Sequence, residues 1–381
     1  MIYYIGYYTS KKELCYRYAV ASAVTKMDYV LAVLESSYGN IEILSRSFPI
    51  QKFEASNILI QKCGNSSKLK FFSGLSSDNL ILRKIANKIS EYRLKKYCLK
   101  NIGKNDVVVL YHSSNDFEII RLLKKLECKV ILEIEEIYTD VKYNQKIKID
   151  EFKTINLADG YILAVESLRK ILPQNRPYIV INGTYKTEVD KSVSFNDSKI
   201  HCIYAGTFDE TKGGAAAAAA AAEFLPSNYH IHILGFGTEK QKNNLLALID
   251  RVQKKAKCTL TYDGLKSGEE YISFLQKCHI GLCTQIPDAK YVETSFPSKI
   301  LVYLANGLRV LSVRIPAVEK SDVGYLLNYY EKQSPEEIAN AIMKIDINDS
   351  FNPREHLKKL DEHCGKALKD LINVVQNENN R

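Results

Sequence analysis

The stretch SFPSKILVYLANGLRVLSV, Ser295 to Val313, decides the architecture of this 381-residue chain. It opens on a loop holding Phe296 and Pro297, passes through a helical segment and ends on an apolar run, Arg309 to Val313, that reads as a buried strand. Helix followed by buried strand is half of a parallel α/β repeat, and the same alternation extends upstream. Strands are predicted near residues 200–205, 229–234, 257–262 and 279–283, with helices between them. Earlier still, strands are predicted near 2–6, 28–34, 41–45, 68–73, 106–111, 128–134, 159–164 and 177–181, of which DVVVL, Asp106 to Leu110, is the clearest. The chain exceeds the length of one ordinary domain, about 100–200 residues, so two α/β domains in series are expected.

Their junction follows NGTY, Asn182 to Tyr185, where the sequence turns polar (KTEVDKSVSFNDSK) before restarting with HCIYAG from His201. The expected domains are 1–183 and 199–350, followed by a charged helical segment, 351–381, that extends the second domain or crosses back to the first. A content of 46% hydrophobic and 25% charged residues excludes a disordered or fibrous chain. Nine cysteines are scattered without a C-x-x-C pair, and no His cluster at metal-ligand spacing was found, so no metal site is expected. Free cysteines beside apolar runs behave as small hydrophobes and suit a reducing compartment. The N-terminus, MIYYIGYYTS, lacks the features of an export signal, and no run of about 18 apolar residues occurs, so a cytoplasmic location is expected. The run Ala215 to Ala222 favours a helix and hardly favours lipid.

Three blocks carry chemistry. In AGTFDETKGG, Ala205 to Gly214, a strand runs into a turn with Gly206, Thr207, Lys212 and Gly213 ahead of a helix, where backbone N–H groups and a cation suit a diphosphate. Alone, this block reads equally well as a βα turn with a solvated lysine. A second turn, LGFGTE, brings Gly235 and Gly237 to the end of the next strand, the edge at which open parallel sheets bind ligands. The third block is the Phe296–Pro297 loop with its helix and strand.

Taken together, these blocks resemble retaining glycosyltransferases of the GT-B fold, the large "glycosyl transferases group 1" family. In that family an F-P loop enters a helix ending A-x-G and then a buried strand, and the loop backbone holds the donor diphosphate. Phe296, Pro297, Ser298, Lys299, Ala305, Gly307 and Val310 match, and Asn182–Gly183 matches the family's domain junction. The similarity covers about 180–345 and is only general before that. It implies two doubly wound parallel-sheet domains facing each other across a cleft, with the donor held mainly by the second. The donor contacts it implies are Gly206, Thr207, Lys212, Gly213, Gly235, Gly237, Gly264, Glu293, Thr294, Phe296, Pro297, Ser298 and Lys299. The chain departs from the pattern where the family's two glutamates, eight positions apart, fall on Thr294 and Val302, with Glu293 an adjacent substitute. Thr207 stands where an arginine often follows the glycine, leaving Lys212 the principal cation and Lys299 a second.

On the acceptor side, His112 follows the strongest strand, and Glu133, Glu135, Glu136 and Asp140 follow the next. Family members often place a histidine and an acidic residue on such loops, which implies catalytic roles for His112 and Glu136 beside Lys212. A surface histidine and a solvated acidic face are the plain alternatives.

The formal charge of +9 is concentrated in the first half, where residues 1–190 hold 29 Lys and Arg against 21 Asp and Glu. Such a field steers anions toward that half. The segment 79–100 contributes most visibly: residues 83–100 hold seven Lys or Arg and one Glu, while Ile81, Ile85, Ile89 and Tyr92 recur at helical spacing. That apolar stripe is expected to contact the core, with the basic face either solvated or resting on an anionic membrane. The expected activity is metal-independent transfer of a sugar, with retention, from a nucleotide-sugar donor to a glycan or lipid-linked acceptor in bacterial surface polysaccharide synthesis. The nucleotide-sugar is a substrate, so no cofactor is expected, and neither is a nucleic-acid partner. The rival readings are a nucleotide-sugar epimerase of the same fold and a non-catalytic partner protein.

Overall fold

The computed structural model describes residues 1–10, 13, 14, 16–50, 59–63, 67–72, 79–138, 145–211, 213–287 and 290–377. They form two compact units, one of residues 1–184 with 362–381 and one of residues 185–361. The long helix Pro353–Asn377 therefore begins in the second unit and ends in the first. Its last turns pack there on Gly160, where an added Cβ would fall 2.7 Å from Val375.

The first unit is built on β1 (Ile2–Gly6), β2 (Ile41–Ser45), β3 (Leu59–Cys63), β4 (Ser67–Phe71), β5 (Val107–Tyr111), β6 (Lys129–Ile134), β7 (Gly160–Leu163) and β8 (Tyr178–Val180). Their order is β3-β4-β2-β1-β5-β6-β7-β8, and β3 alone runs antiparallel to its neighbour. Central strands are covered on both faces, which is why β5 can be an unbroken apolar run. The second unit carries β9 (Ile200–Thr207), β10 (Tyr229–Phe236), β11 (Thr259–Gly264), β12 (Ile280–Cys283), β13 (Arg309–Val313) and β14 (Asn328–Tyr330), all parallel, in the order β11-β10-β9-β12-β13-β14. Both units are doubly wound α/β sheets. Strand order reverses between β1 and β5 in the first and between β9 and β12 in the second, and such switch points open a crevice at the carboxyl ends of the strands.

Two expectations are corrected. Residues 28–34, read as a strand, lie inside the helix Ala21–Tyr38. The run YVLAVL is apolar enough for either state, but Val24, Met27, Val30, Leu31 and Leu34 are buried at helical spacing. The helix Leu80–Asn101 forms, capped by the Asn79 side chain, yet the stripe expected to meet the core faces outward: Ile81 is 69% exposed and Tyr92 66%. Ala86, Leu94 and Cys98 make the core contact instead, one to two turns apart on the opposite face.

Candidate functional site

At the switch point of the second unit, β9 and β12 pair only through Ile280↔Cys202 and Gly281↔Ile203, then diverge. Tyr303, from the helix Lys299–Ala305, fills the widening gap. Its ring packs where Gly281 has no Cβ, and its phenol oxygen accepts the Ala205 N–H at 2.8 Å. Beyond Ala205 the end of β9 is free to approach a ligand.

Among the described residues, that end is lined by glycines and by Lys299. Gly206 pairs in register with Gly235, whose φ of +138° and proximity to the Gly206 carbonyl leave no room for a Cβ. The Tyr204 ring lies between Gly206 and Gly214: a Cβ on Gly214 would fall 2.8 Å from it. Lys299 places its ammonium 3.9 Å from the Tyr204 ring centroid, at the position a Gly206 side chain would approach to 3.0 Å. The cation is thus held over an aromatic face at the end of β9. Gly213, at φ +64°, turns the chain into the helix Gly214–Ala221, whose alanines Ala218 and Ala219 are fully buried. Thr284, just after β12, ties this helix start to the switch point by donating to the Gly214 carbonyl at 2.7 Å. Lys212 lies outside the described residues.

Other residues implied by the resemblance are placed differently. Gly237 precedes a capping box, in which Thr238 and Gln241 exchange hydrogen bonds at the start of the helix Glu239–Gln253. Its lack of a side chain makes room for Gln241. Gly264 ends the outermost strand, β11, with β10 between it and β9. Phe296 and Pro297 are half-buried, Ser298 precedes the Lys299 helix, and Glu293 is exposed. The Thr294 hydroxyl is buried with no hydrogen-bond partner among the described residues.

The switch point of the first unit carries side-chain charge. His112, directly after β5, is 1% exposed and its Nε2 lies 3.0 Å from Glu151 Oε1, which also accepts the Tyr138 N–H at 2.8 Å. Arg46, directly after β2, pairs with the buried Asp116. Lys26, 4% exposed in the helix after β1, pairs with Glu135 at 3.0 Å and donates to the Ile181 carbonyl. Glu133, on β6, accepts from the Tyr4 hydroxyl at 2.6 Å. Burial, followed by the neighbouring Glu135 charge, pushes its carboxyl up to about 7, with Lys26 and Tyr4 acting in the opposite sense. Glu136 is half-buried on the same segment, and Asp140 lies outside the described residues. Lys26 and Glu151 were missed in sequence because each is remote in the chain from the carboxylate or imidazole it serves.

A second grouping was also missed. His201, His230 and His232 meet on one face of the second sheet, each offering a ring nitrogen within 4.8 Å of those of the other two. The signal was present as H-I-H in β10, since alternate residues of a strand share a face.

No protein-family model matches the chain, and no curated protein matches its sequence. Solved structures do match in fold over nearly its whole length. A sucrose-phosphate synthase from Thermosynechococcus elongatus aligns with a TM-score of 0.70 at 13% identity, covering 97% of this chain and 99% of that one. HepE from Anabaena, in complex with UDP, aligns at 0.62 and 11% identity, covering both chains fully. An alpha,alpha-trehalose-phosphate synthase (UDP-forming) from Burkholderia xenovorans, in complex with glucose-6-phosphate, aligns at 0.60 and 10%, covering 99% and 100%. The chain has the GT-B fold of these proteins.

Proposed function

We propose that the chain is a glycosyltransferase that takes a sugar, with retention of configuration, from a nucleotide-sugar held by its second unit. The observation that carries this reading is the end of β9, where Gly206 and Gly235 strip away side chains and Lys299 sits over Tyr204. A diphosphate is recognised there by close approach of backbone and by a fixed positive charge. Lys212, immediately before Gly213 and the helix start, is the second cation of the proposal. Charge grows on the departing diphosphate during transfer, so cations and amides already in place stabilise the transition state more than the ground state. The reaction then needs no added divalent ion at the phosphates.

The acceptor is assigned to the first unit and is a glycan or lipid-linked sugar of bacterial surface polysaccharide. Glu136 is the acidic group proposed to meet its hydroxyls. His112, buried against Glu151, holds the segment that carries Tyr138. The helix Leu80–Asn101 is proposed to rest on an anionic membrane.

A melting screen against UDP-, GDP-, ADP- and dTDP-sugars tests the donor assignment, with UDP-sugars expected to stabilise. A ligand at 100 times its Kd adds about 2.7 kcal/mol. Lys212→Ala should melt like the parent and lose about 10²-fold in kcat. No shift with any nucleotide-sugar would favour the partner-protein reading, and parental turnover in Lys212→Ala would overturn the phosphate assignment.

A further inference from the structure

The histidine cluster of the second unit lies away from the switch point. His201 is the second residue of β9, while His230 and His232 are the second and fourth of β10, so the three sit toward the amino ends of strands whose carboxyl ends carry the proposed donor site. His230 and His201 are register partners, and His232 shares their face.

The hydrogen bonds around the rings do not balance. His201 Nε2 lies 2.7 Å from Asp197 Oδ1, and His232 Nδ1 lies 3.0 Å from Asp263 Oδ2. Carboxylates only accept, so each outer nitrogen carries the single N–H of a neutral imidazole. The inner nitrogens, His201 Nδ1 and His232 Nε2, then face each other at 2.9 Å with a lone pair each. The Thr261 hydroxyl donates to Asp263 at 2.7 Å, so the contact of His230 Nε2 to that hydroxyl at 2.9 Å makes this nitrogen the donor and leaves His230 a lone pair at Nδ1. Two lone pairs thus face each other with neither a proton nor a cation between them, and His230 brings a third imidazole nitrogen within 4.8 Å.

We propose that His201, His230 and His232 bind a divalent transition-metal ion, Zn²⁺ in the first instance, with Asp197 and Asp263 orienting two of the rings from behind. Three imidazoles without a thiolate suit zinc, and a carboxylate on the outer nitrogen of a ligating histidine is the usual support for such a site. Zn–N bonds of about 2.1 Å in a tetrahedron set ligand nitrogens about 3.4 Å apart. His201 and His232 are near that spacing, whereas the His230 ring stacks on His232 with centroids 3.8 Å apart, so binding requires the half-buried His230 to turn its edge toward the ion. The fourth position is left to water. Lys199, bonded to Thr259, is the nearby opposing charge, and the two carboxylates outweigh it. Phe195 stacks on His201 and His232 at 4.0 and 5.0 Å, so Phe195 and Asp197 together bring the segment after Tyr185 onto the cluster. The bound ion would therefore anchor that segment to the sheet.

The test uses the full chain stripped with a chelator and titrated with Zn²⁺, followed by calorimetry and melting, with Co²⁺ as a spectroscopic probe. One equivalent should bind and raise the Tm, and the Co²⁺ form should show tetrahedral d–d bands without a thiolate charge-transfer band. His230→Gln, at a half-buried position, should weaken binding at least tenfold while the metal-free Tm stays near the parent's. Asp263→Asn should weaken it 10- to 100-fold. Absence of binding, a thiolate band from the cysteines, or equal affinity in His230→Gln would overturn the site. Nucleotide-sugar shifts measured on the same samples report the donor site separately.

Discussion

At the β1/β5 edge of the first unit, Lys26, Arg46, His112, Asp116, Glu133 and Glu151 bury ionisable groups against partners drawn from distant parts of the chain. At the topologically equivalent β9/β12 edge of the second unit, the corresponding space is lined by Gly206, Gly213 and Gly235, and among the described residues its charge is Lys299 over the Tyr204 ring. Buried charges must be paired, so the first edge spends its polar groups on itself. Glycine instead clears side chains from the strand ends and the helix start. The same topology thus yields, in one unit, an edge whose ionisable groups are mostly paired among themselves, with Glu133 Oε1 and His112 Nδ1 lacking a hydrogen-bond partner among the described residues, and a receptive edge in the other. The strongest way to break this contrast is to give the receptive edge a side chain. Gly235→Ala forces a Cβ into the Gly206 carbonyl at a backbone conformation alanine resists. Overpacking and backbone strain together should cost about 3–5 kcal/mol in urea unfolding and abolish any nucleotide-sugar shift. Parental stability in that variant would show that β9 and β10 are not held as closely as described.

The edge of the first unit can be tested through pH. The Glu133 carboxyl, at about 7 in the folded chain, stands above its ordinary value of 4.5, so between those values the folded state binds more protons than the unfolded one. Its contribution is fully present below pH 4.5 and is lost as pH rises through 7. Glu133→Gln removes this slope. At pH 8 the variant should be more stable than the parent by on the order of 2–3 kcal/mol, and at pH 4.5 nearly equal to it, in paired denaturant titrations. Equal pH profiles would mean that Lys26 and Tyr4 already offset the burial of the charge.

Most of the strand alternation was legible because parallel strands covered on both faces read as near-continuous apolar runs, as β5 and β12 do. That same rule misled at residues 28–34, where an apolar run of strand length belongs to a helix buried along one side. The glycines at 206, 213 and 235 could be found because each marks a strand end or turn. What could not be read was which glycine serves packing: Gly237 makes room for the Gln241 side chain, and no linear pattern distinguishes it from Gly235. The Lys26–Glu135 and His112–Glu151 pairs were illegible for another reason, since sheet order brings their partners together across 109 and 39 residues of sequence. The solvent-facing stripe of the basic helix was misassigned because periodicity identifies a face and not what covers it.

A smaller change sharpens the receptive edge. Lys299 is one of two cations proposed for the diphosphate, and the backbone around Gly206 remains when it is removed. Lys299→Ala should therefore lower kcat about tenfold, equivalent to about 1.4 kcal/mol, less than Lys212→Ala. Loss of the contact with Tyr204 should cost about 1 kcal/mol or less of stability. If turnover falls only in proportion to melting, the lysine supports the fold and not the phosphate.

The weakest expected effect concerns the helix Leu80–Asn101 of the first unit, where Lys95 pairs with Glu91 and other lysines are exposed. No described helix is long and apolar enough to cross a membrane, and the contact proposed for Leu80–Asn101 is a peripheral one. Ile81, Ile85 and Ile89 are 69%, 47% and 38% exposed at successive turns, and Lys84, Lys88, Lys96 and Lys100 are exposed on the same helix. Apolar side chains entering the headgroup region and lysines above it act in concert, each basic residue being worth about 1 kcal/mol near an anionic surface. Neither contribution alone gives firm binding, and the electrostatic part is screened by salt. The chain should co-sediment with phosphatidylserine-containing vesicles at low salt, and much less with neutral ones or at high salt. Ile81→Glu with Ile85→Glu should reduce this several-fold while leaving stability within about 0.5 kcal/mol, because both side chains are already in water. Equal sedimentation with neutral and acidic vesicles, or an unchanged double variant, would return the helix to an ordinary solvated face and leave the basic balance of the first unit to the acceptor proposed for it.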